Sequence, residues 1–140
     1  MLLVATTTSF LLSLLGKFLA DSFLATRIPV LGSFAGFQYA ANSGVAFSIT
    51  FPGHLQTVLI GVALLALAWA AWHAKTRWSR IAFGLIIGGA LGNIADRIPD
   101  GHVTDFFQVG TFPIFNVADS CITIGVFLLL LEAVWVWWNR

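Results

Sequence analysis

Two aspartates stand where apolar helices are expected, each inside a cluster of amides and hydroxyls. Asn93, Asp96 and Arg97 follow one another at spacings of three and four, so a helix puts them on one side of a single turn. Asn116, Asp119, Ser120 and Thr123 share a second helical face in the same way. Two carboxyls brought within about 4 Å repel by ~4 kcal/mol at an effective dielectric near 20, so a single proton would be shared. Such a pair can hydrolyse a peptide bond: the carboxylate takes a proton from water while the carboxylic acid polarises the carbonyl. Each acid also has a purely structural reading. Asn116 with an acid three residues on has the form of a helix cap, and Asp96 can pair with the adjacent Arg97.

The elements that must position these residues follow from composition. The chain has 140 residues, 59% of them hydrophobic, with 7 Lys+Arg, 6 Asp+Glu and a net charge of +1. Mean hydropathy is +0.91. A soluble domain carries roughly 25% charged residues against the 9% found here, and disorder needs still more charge, so both classes are excluded. Scattered basic residues give no footprint for nucleic acid, and no such partner is expected. The one cysteine, Cys121, reads as a small helix residue, and His54, His73 and His102 are dispersed. No metal-ligand set or cofactor is expected.

Four apolar segments, about 2–24, 55–72, 78–95 and 115–138, predict a four-transmembrane-helix bundle within a single domain, residues 1–140. The first has no positively charged leader and is expected to be a retained span rather than a cleaved signal peptide. Lys75, Arg77 and Arg80 between the second and third spans, with Arg140 at the end, put that loop and both termini in the cytoplasm. All six tryptophans (Trp69, Trp72, Trp78, Trp135, Trp137, Trp138) fall at the same end, as an interfacial belt. The acidic connectors then lie outside. Pro29, Gly32 and Gly36 among alternating apolar residues predict short surface strands, Asn42-Ser43-Gly44 a turn, Pro99-Asp100-Gly101 another turn, and Val103 to Val109 a strand. Gly84, Gly88 and Gly92, four apart, make the third span the central, closely packed helix, and antiparallel third and fourth spans put Asp96 and Asp119 at one depth.

The blocks Asn42 to Ser48, Gly88 to Arg97, Val103 to Phe106 and Phe112 to Ser120 resemble, in order, the lipoprotein signal peptidases (signal peptidase II), a bacterial family of four-span aspartic peptidases. The resemblance implies an all-α membrane bundle with a small extracytoplasmic β-cradle. It implies Asp96 and Asp119 as the catalytic dyad, Lys17, Asn42, Gly44, Asn93, Arg97 and Asn116 as substrate-binding or supporting residues, and Asp105 as organiser of the outer connector. The implied substrate is a prolipoprotein whose cysteine carries diacylglycerol, cut just before that cysteine at the outer face of the bacterial inner membrane, by a protein expected to be monomeric among membrane lipids.

Two positions depart from the family pattern. Ser13 stands where an acid usually precedes the lysine at position 17, with Asp21 able to replace it only in another helix register, and Ala41 stands where an arginine often precedes Asn42. They motivate an alternative, a specialised or non-catalytic paralogue that binds lipidated peptides. A small proton-coupled carrier using Glu132 is the remaining alternative.

Overall fold

The computed structural model describes residues 1–44 and 55–139, with side chains from 58 onward in the second stretch. Val45 to Ser48 of the first block, and His54, lie outside the described residues. In order the elements are α1 (Leu2–Phe23), β1 (Ile28–Leu31), β2 (Ala35–Asn42), α2 (Leu55–Trp72), α3 (Arg77–Arg97), β3 (Val103–Val109) and α4 (Val117–Trp138). Three of the helices, α1, α3 and α4, are long and apolar enough to cross a membrane, and Val58–Trp72 of α2 is a shorter apolar helix. The expected fold is met in this coarser form: a mostly helical membrane protein with one small antiparallel sheet.

α3 is packed between α1 and α4, and its glycines are the reason. A Cβ on Gly92 would fall 2.5 Å from the Ser13 Cβ, and one on Gly84 would fall 2.6 Å from the Ala5 Cβ, so the predicted small-residue stripe is the α1 contact. The α4 contact uses different glycines: a Cβ on Gly89 would meet the Ala118 carbonyl oxygen at 2.5 Å, and one on Gly125 the Ala82 carbonyl oxygen at 2.6 Å. With backbones this close, α1 can bury hydroxyls. Ser9 Oγ donates to the Leu85 carbonyl across the interface at 3.1 Å, and Ser13 Oγ to the Ser9 carbonyl at 2.8 Å. The outward faces are apolar and uncovered, as at Leu3, Leu65 and Phe127, the surface lipid would coat.

At the tryptophan end all six indoles are exposed. Thr76 caps α3 by accepting from the Ser79 amide at 3.0 Å, and Glu132 of α4 accepts from the hydroxyls of both Thr76 and Ser79. Glu132 is thereby a tie between two helices.

At the opposite end lies the sheet, in the order β1-β2-β3, both pairings antiparallel. Gly32, at φ +55°, makes the β1–β2 turn, and Gly101, at φ +81°, makes the turn after α3. α3 runs two residues past the end expected at 95, through Asp96 and Arg97, and passes into the predicted turn with a Gly101 amide to Arg97 carbonyl bond of 2.8 Å. β3 is an edge strand. The amides of Phe106 and Phe107 both donate to the Phe115 carbonyl, at 3.0 and 2.7 Å, which docks the approach to α4 against the strand and delivers Asn116 beside Asp105.

Candidate active site

β3 sorts its side chains by strand alternation. Residues 103–106 are all buried, but on two faces. Val103 and Asp105 line a cavity of about 650 Å³, while the Phe106 ring packs where a Gly16 Cβ would lie, 2.9 Å from its tip, and Thr104 turns to α1. The cavity is also lined by Asn42, Gly44, Asn93, Arg97, Asp119, Ser120 and Thr123, with Ile60, Ile94 and Ile122 making an apolar flank.

Within that cavity an amide network ties Asp105 to Asp119. Asn116 Nδ2 donates to Asp105 Oδ1 at 2.8 Å and to Asn93 Oδ1 at 3.0 Å; Asn93 Nδ2 in turn donates to Asp119 Oδ1 at 2.9 Å. The second oxygen of Asp105 accepts from Asn42 Nδ2 at 2.9 Å. Asn42 is held for this by its own turn, its Oδ1 accepting from the Gly44 amide at 2.9 Å. Burial pushes the Asp105 carboxyl up to about 6, against the lowering effect of its bonds from Asn42 and Asn116, and the negative charge of Asp119 adds to the rise. Arg97 Nη2 donates to the Gly44 carbonyl at 2.6 Å, and its buried Nε has no hydrogen-bond partner among the described residues.

Asp119 also caps its own helix. Its Oδ2 accepts from the Asn116 amide at 3.3 Å while its amide donates to Asn116 Oδ1 at 3.0 Å, a complete capping box. The structural reading of this acid therefore holds together with its cavity position, because a carboxylate has two oxygens and the second is spent on Asn93.

Asp96 is elsewhere. It is 6% exposed and is not among the cavity-lining residues. One oxygen forms an ion pair with Lys17 Nζ at 2.7 Å and the other accepts from the Thr104 amide at 2.7 Å. The sequence reading joined Asp96 to Asp119; the ion pair and hydrogen bond that the structure gives Asp96 go to Lys17 of α1 and Thr104 of β3. The reason is register at the end of α3, where Asn93 turns to α4 and Asp96, three residues on, turns to α1 and β3. The reading of Asp21 needs revision as well. In the register α1 already has, Asp21 Oδ2 reaches Lys17 Nζ at 2.8 Å, so Ser13 is free to pack on Gly92. Ala41 is exposed on β2, where it pairs with Thr104.

Of the residues singled out in the sequence, the fold thus gathers Asn42, Gly44, Asn93, Arg97, Asp105, Asn116 and Asp119, and sets Lys17 and Asp96 behind them. Thr104 was missed, and Asp21 was placed in the wrong register. A signal for Asp105 was present: an acid on the strand face that Val103, Phe107 and Val109 otherwise make apolar. Among the described residues no group of three or more His, Cys, Asp or Glu is arranged to hold a metal ion.

A bundle of apolar helices around a buried acidic network that opens on a cavity is the build of an integral-membrane enzyme. Residues 5–135 match the family model described as signal peptidase (SPase) II. The lipoprotein signal peptidase of Dehalococcoides mccartyi strain BAV1 is 42% identical over 138 residues, covering 91% of this chain and 85% of that protein. That of Nostoc punctiforme is 40% identical over 116 residues, 79% of this chain and 73% of that one. A bacterial membrane enzyme solved by the in meso method at 2.3 Å superposes with a TM-score of 0.84 at 26% identity, covering 99% of this chain and 90% of that chain. The chain belongs to the signal peptidase II family and is a multi-pass membrane peptidase of that type.

Proposed function

We propose that this chain removes signal peptides from diacylglyceryl-modified prolipoproteins by an aspartic mechanism, cutting just before the lipidated cysteine, and that Asp105 and Asp119 are its working carboxyls. The family supplies the substrate class. The choice of acids rests on one observation: Asp105 and Asp119 line the same cavity and are joined through Asn116 and Asn93, whereas Asp96 is bound to Lys17. The dyad expected from the sequence, Asp96 with Asp119, is replaced in this reading by Asp105 with Asp119.

Asp105, raised toward neutrality by burial, is the acid, and Asp119 is the base. Water adds its hydroxyl to the scissile carbonyl carbon and gives a proton to Asp119, while Asp105 passes its proton to the carbonyl oxygen, forming a gem-diol. On collapse Asp119 hands its proton to the departing nitrogen, Asp105 recovers one from a hydroxyl, and the C–N bond breaks. Asn42 and Asn116 fix Asp105, Asn93 fixes Asp119, and Gly44 and Arg97 add polar lining to a cavity that also has Ile60, Ile94 and Ile122. The apolar flank suits the acyl chains of the lipidated cysteine, held in the bilayer beside the bond to be cut.

In this reading α2 is the fourth span, the tryptophan end with both termini is cytoplasmic, and the sheet end with the cavity lies at the outer face of the bacterial inner membrane. The exposed indoles at one end and the Lys75, Arg77 and Arg80 loop beside them support that orientation. The protein works as a monomer among membrane lipids. The test is cleavage of a diacylglyceryl-modified prolipoprotein by the purified chain. Asp105→Asn and Asp119→Asn each abolish it, and turnover retained in either variant defeats the reading.

A further inference from the structure

Asp96, Lys17 and Asp21 are left without a part in that chemistry, yet they form a continuous chain of ion pairs beneath it. Asp21 Oδ2 lies 2.8 Å from Lys17 Nζ, and Lys17 Nζ lies 2.7 Å from Asp96 Oδ1. Two helices, α1 and α3, contribute, and what the chain grips is a single residue of a third element. Thr104 gives its amide to Asp96 Oδ2 at 2.7 Å, and its hydroxyl oxygen accepts from Lys17 Nζ at 3.3 Å and lies 3.5 Å from Asp21 Oδ1.

The position of Thr104 gives the grip its meaning. β3 is the edge strand, so amides on its outer side have no neighbouring strand to receive them, and a buried amide without an acceptor is costly. The Phe106 amide on that side is taken by the Phe115 carbonyl. The Thr104 amide is taken by Asp96, which stands where the next strand would stand. Strand alternation then fixes the consequence, because holding Thr104 from behind sets the direction of its neighbour, Asp105, into the cavity.

We infer that Lys17, braced by Asp21 and acting through Asp96, is a positioning device that sets the Asp105 carboxyl by anchoring the Thr104 amide. The inference rests on the proposed role of Asp105. Lys17, Asp21 and Asp96 touch no reacting atom; they act through Thr104.

The test uses the full chain in detergent micelles, with turnover of a diacylglyceryl-modified prolipoprotein resolved into kcat and KM and melting measured alongside. Asp96→Asn and Lys17→Met lower kcat per folded enzyme by about 100-fold with KM changed less than about twofold, the loss expected when a reacting group is misplaced by an ångström or so. Lys17→Arg, which keeps the charge, restores most of the rate. Asp21→Asn, at a partly exposed site that folding tolerates, lowers kcat a few-fold at constant KM and speaks even if Lys17→Met does not fold. Unchanged kcat per folded enzyme in Asp96→Asn and Asp21→Asn, or a loss confined to KM, overturns the inference. Asp105→Asn and Asp119→Asn run in parallel separate the two failures: turnover retained there sinks the catalytic reading itself, whereas its loss beside a normal Asp96→Asn sinks only the positioning role.

Discussion

Asn116 donates to the Asp105 carboxylate at 2.8 Å, from the residue that caps the helix carrying Asp119. One side chain therefore fixes an acid on a strand, through its amide nitrogen, and starts the helix that holds the other acid, through its oxygen. The position of each carboxyl relative to the other is set by a single amide group.

Removing that group tests the coupling. Asn116→Ala loses the cap of α4 and leaves Asn93 Oδ1 and Asp105 Oδ1 without their donor. A lost N-cap costs about 1–2 kcal/mol, so a lower melting temperature in micelles is expected. Turnover falls further than that destabilisation explains, and assays at a temperature where the variant is fully folded show the difference.

The two cavity acids and Asp96 should separate in their severity. General acid–base groups contribute roughly 10²–10⁴-fold, so Asp105→Asn and Asp119→Asn reduce cleavage to background. Asp96→Asn retains a measurable rate because the carboxyls that handle protons are still present. Cleavage of one lipidated prolipoprotein by all three purified variants checks the order.

Asp105 also gives a pH dependence of defined sign. Its folded value, about 6, lies above its ordinary 3.8, so the folded protein holds the proton more tightly than the unfolded chain does. The resulting stability is fully present below about pH 4 and is lost as pH rises through about 6. Melting temperatures across this window should fall more in the wild type than in Asp105→Asn, whose amide does not titrate there.

Helix packing predicts opposite outcomes for two glycines. Gly92→Ala would press a methyl against Ser13 at 2.5 Å and is expected to cost about 1–3 kcal/mol through forced separation of α1 and α3. Gly61→Ala, with nothing among the described residues within 4 Å, is neutral or stabilising by up to about 1 kcal/mol from helix propensity. Thermal unfolding of both variants in the same detergent decides it.

Much of this was legible in the sequence because it depends on local pattern. Long apolar runs, the tryptophans at one end, the glycine stripe, the strand at Val103 to Val109 and the cap at Asn116 are each written in residues a few positions apart. So were the members of the polar network, since an amide or a carboxylate in an apolar chain needs a partner wherever it lies. Which partner it takes is a different question. Asp96 and Asp105 are both acids near the end of α3, and spacing along the chain gives Asp96 the better claim to Asp119. The outcome turned on where the α3 helix ends, how far the following turn carries the chain, and which face of β3 points to the cavity. Those quantities accumulate over several elements, and a change of one residue in register exchanges the two faces of a strand. Sequence alone therefore determined the solvent, the apolar helices and the chemical inventory of this protein; only tertiary packing decided that Lys17 claims Asp96 and that Asp105 is the acid left facing Asp119's cavity.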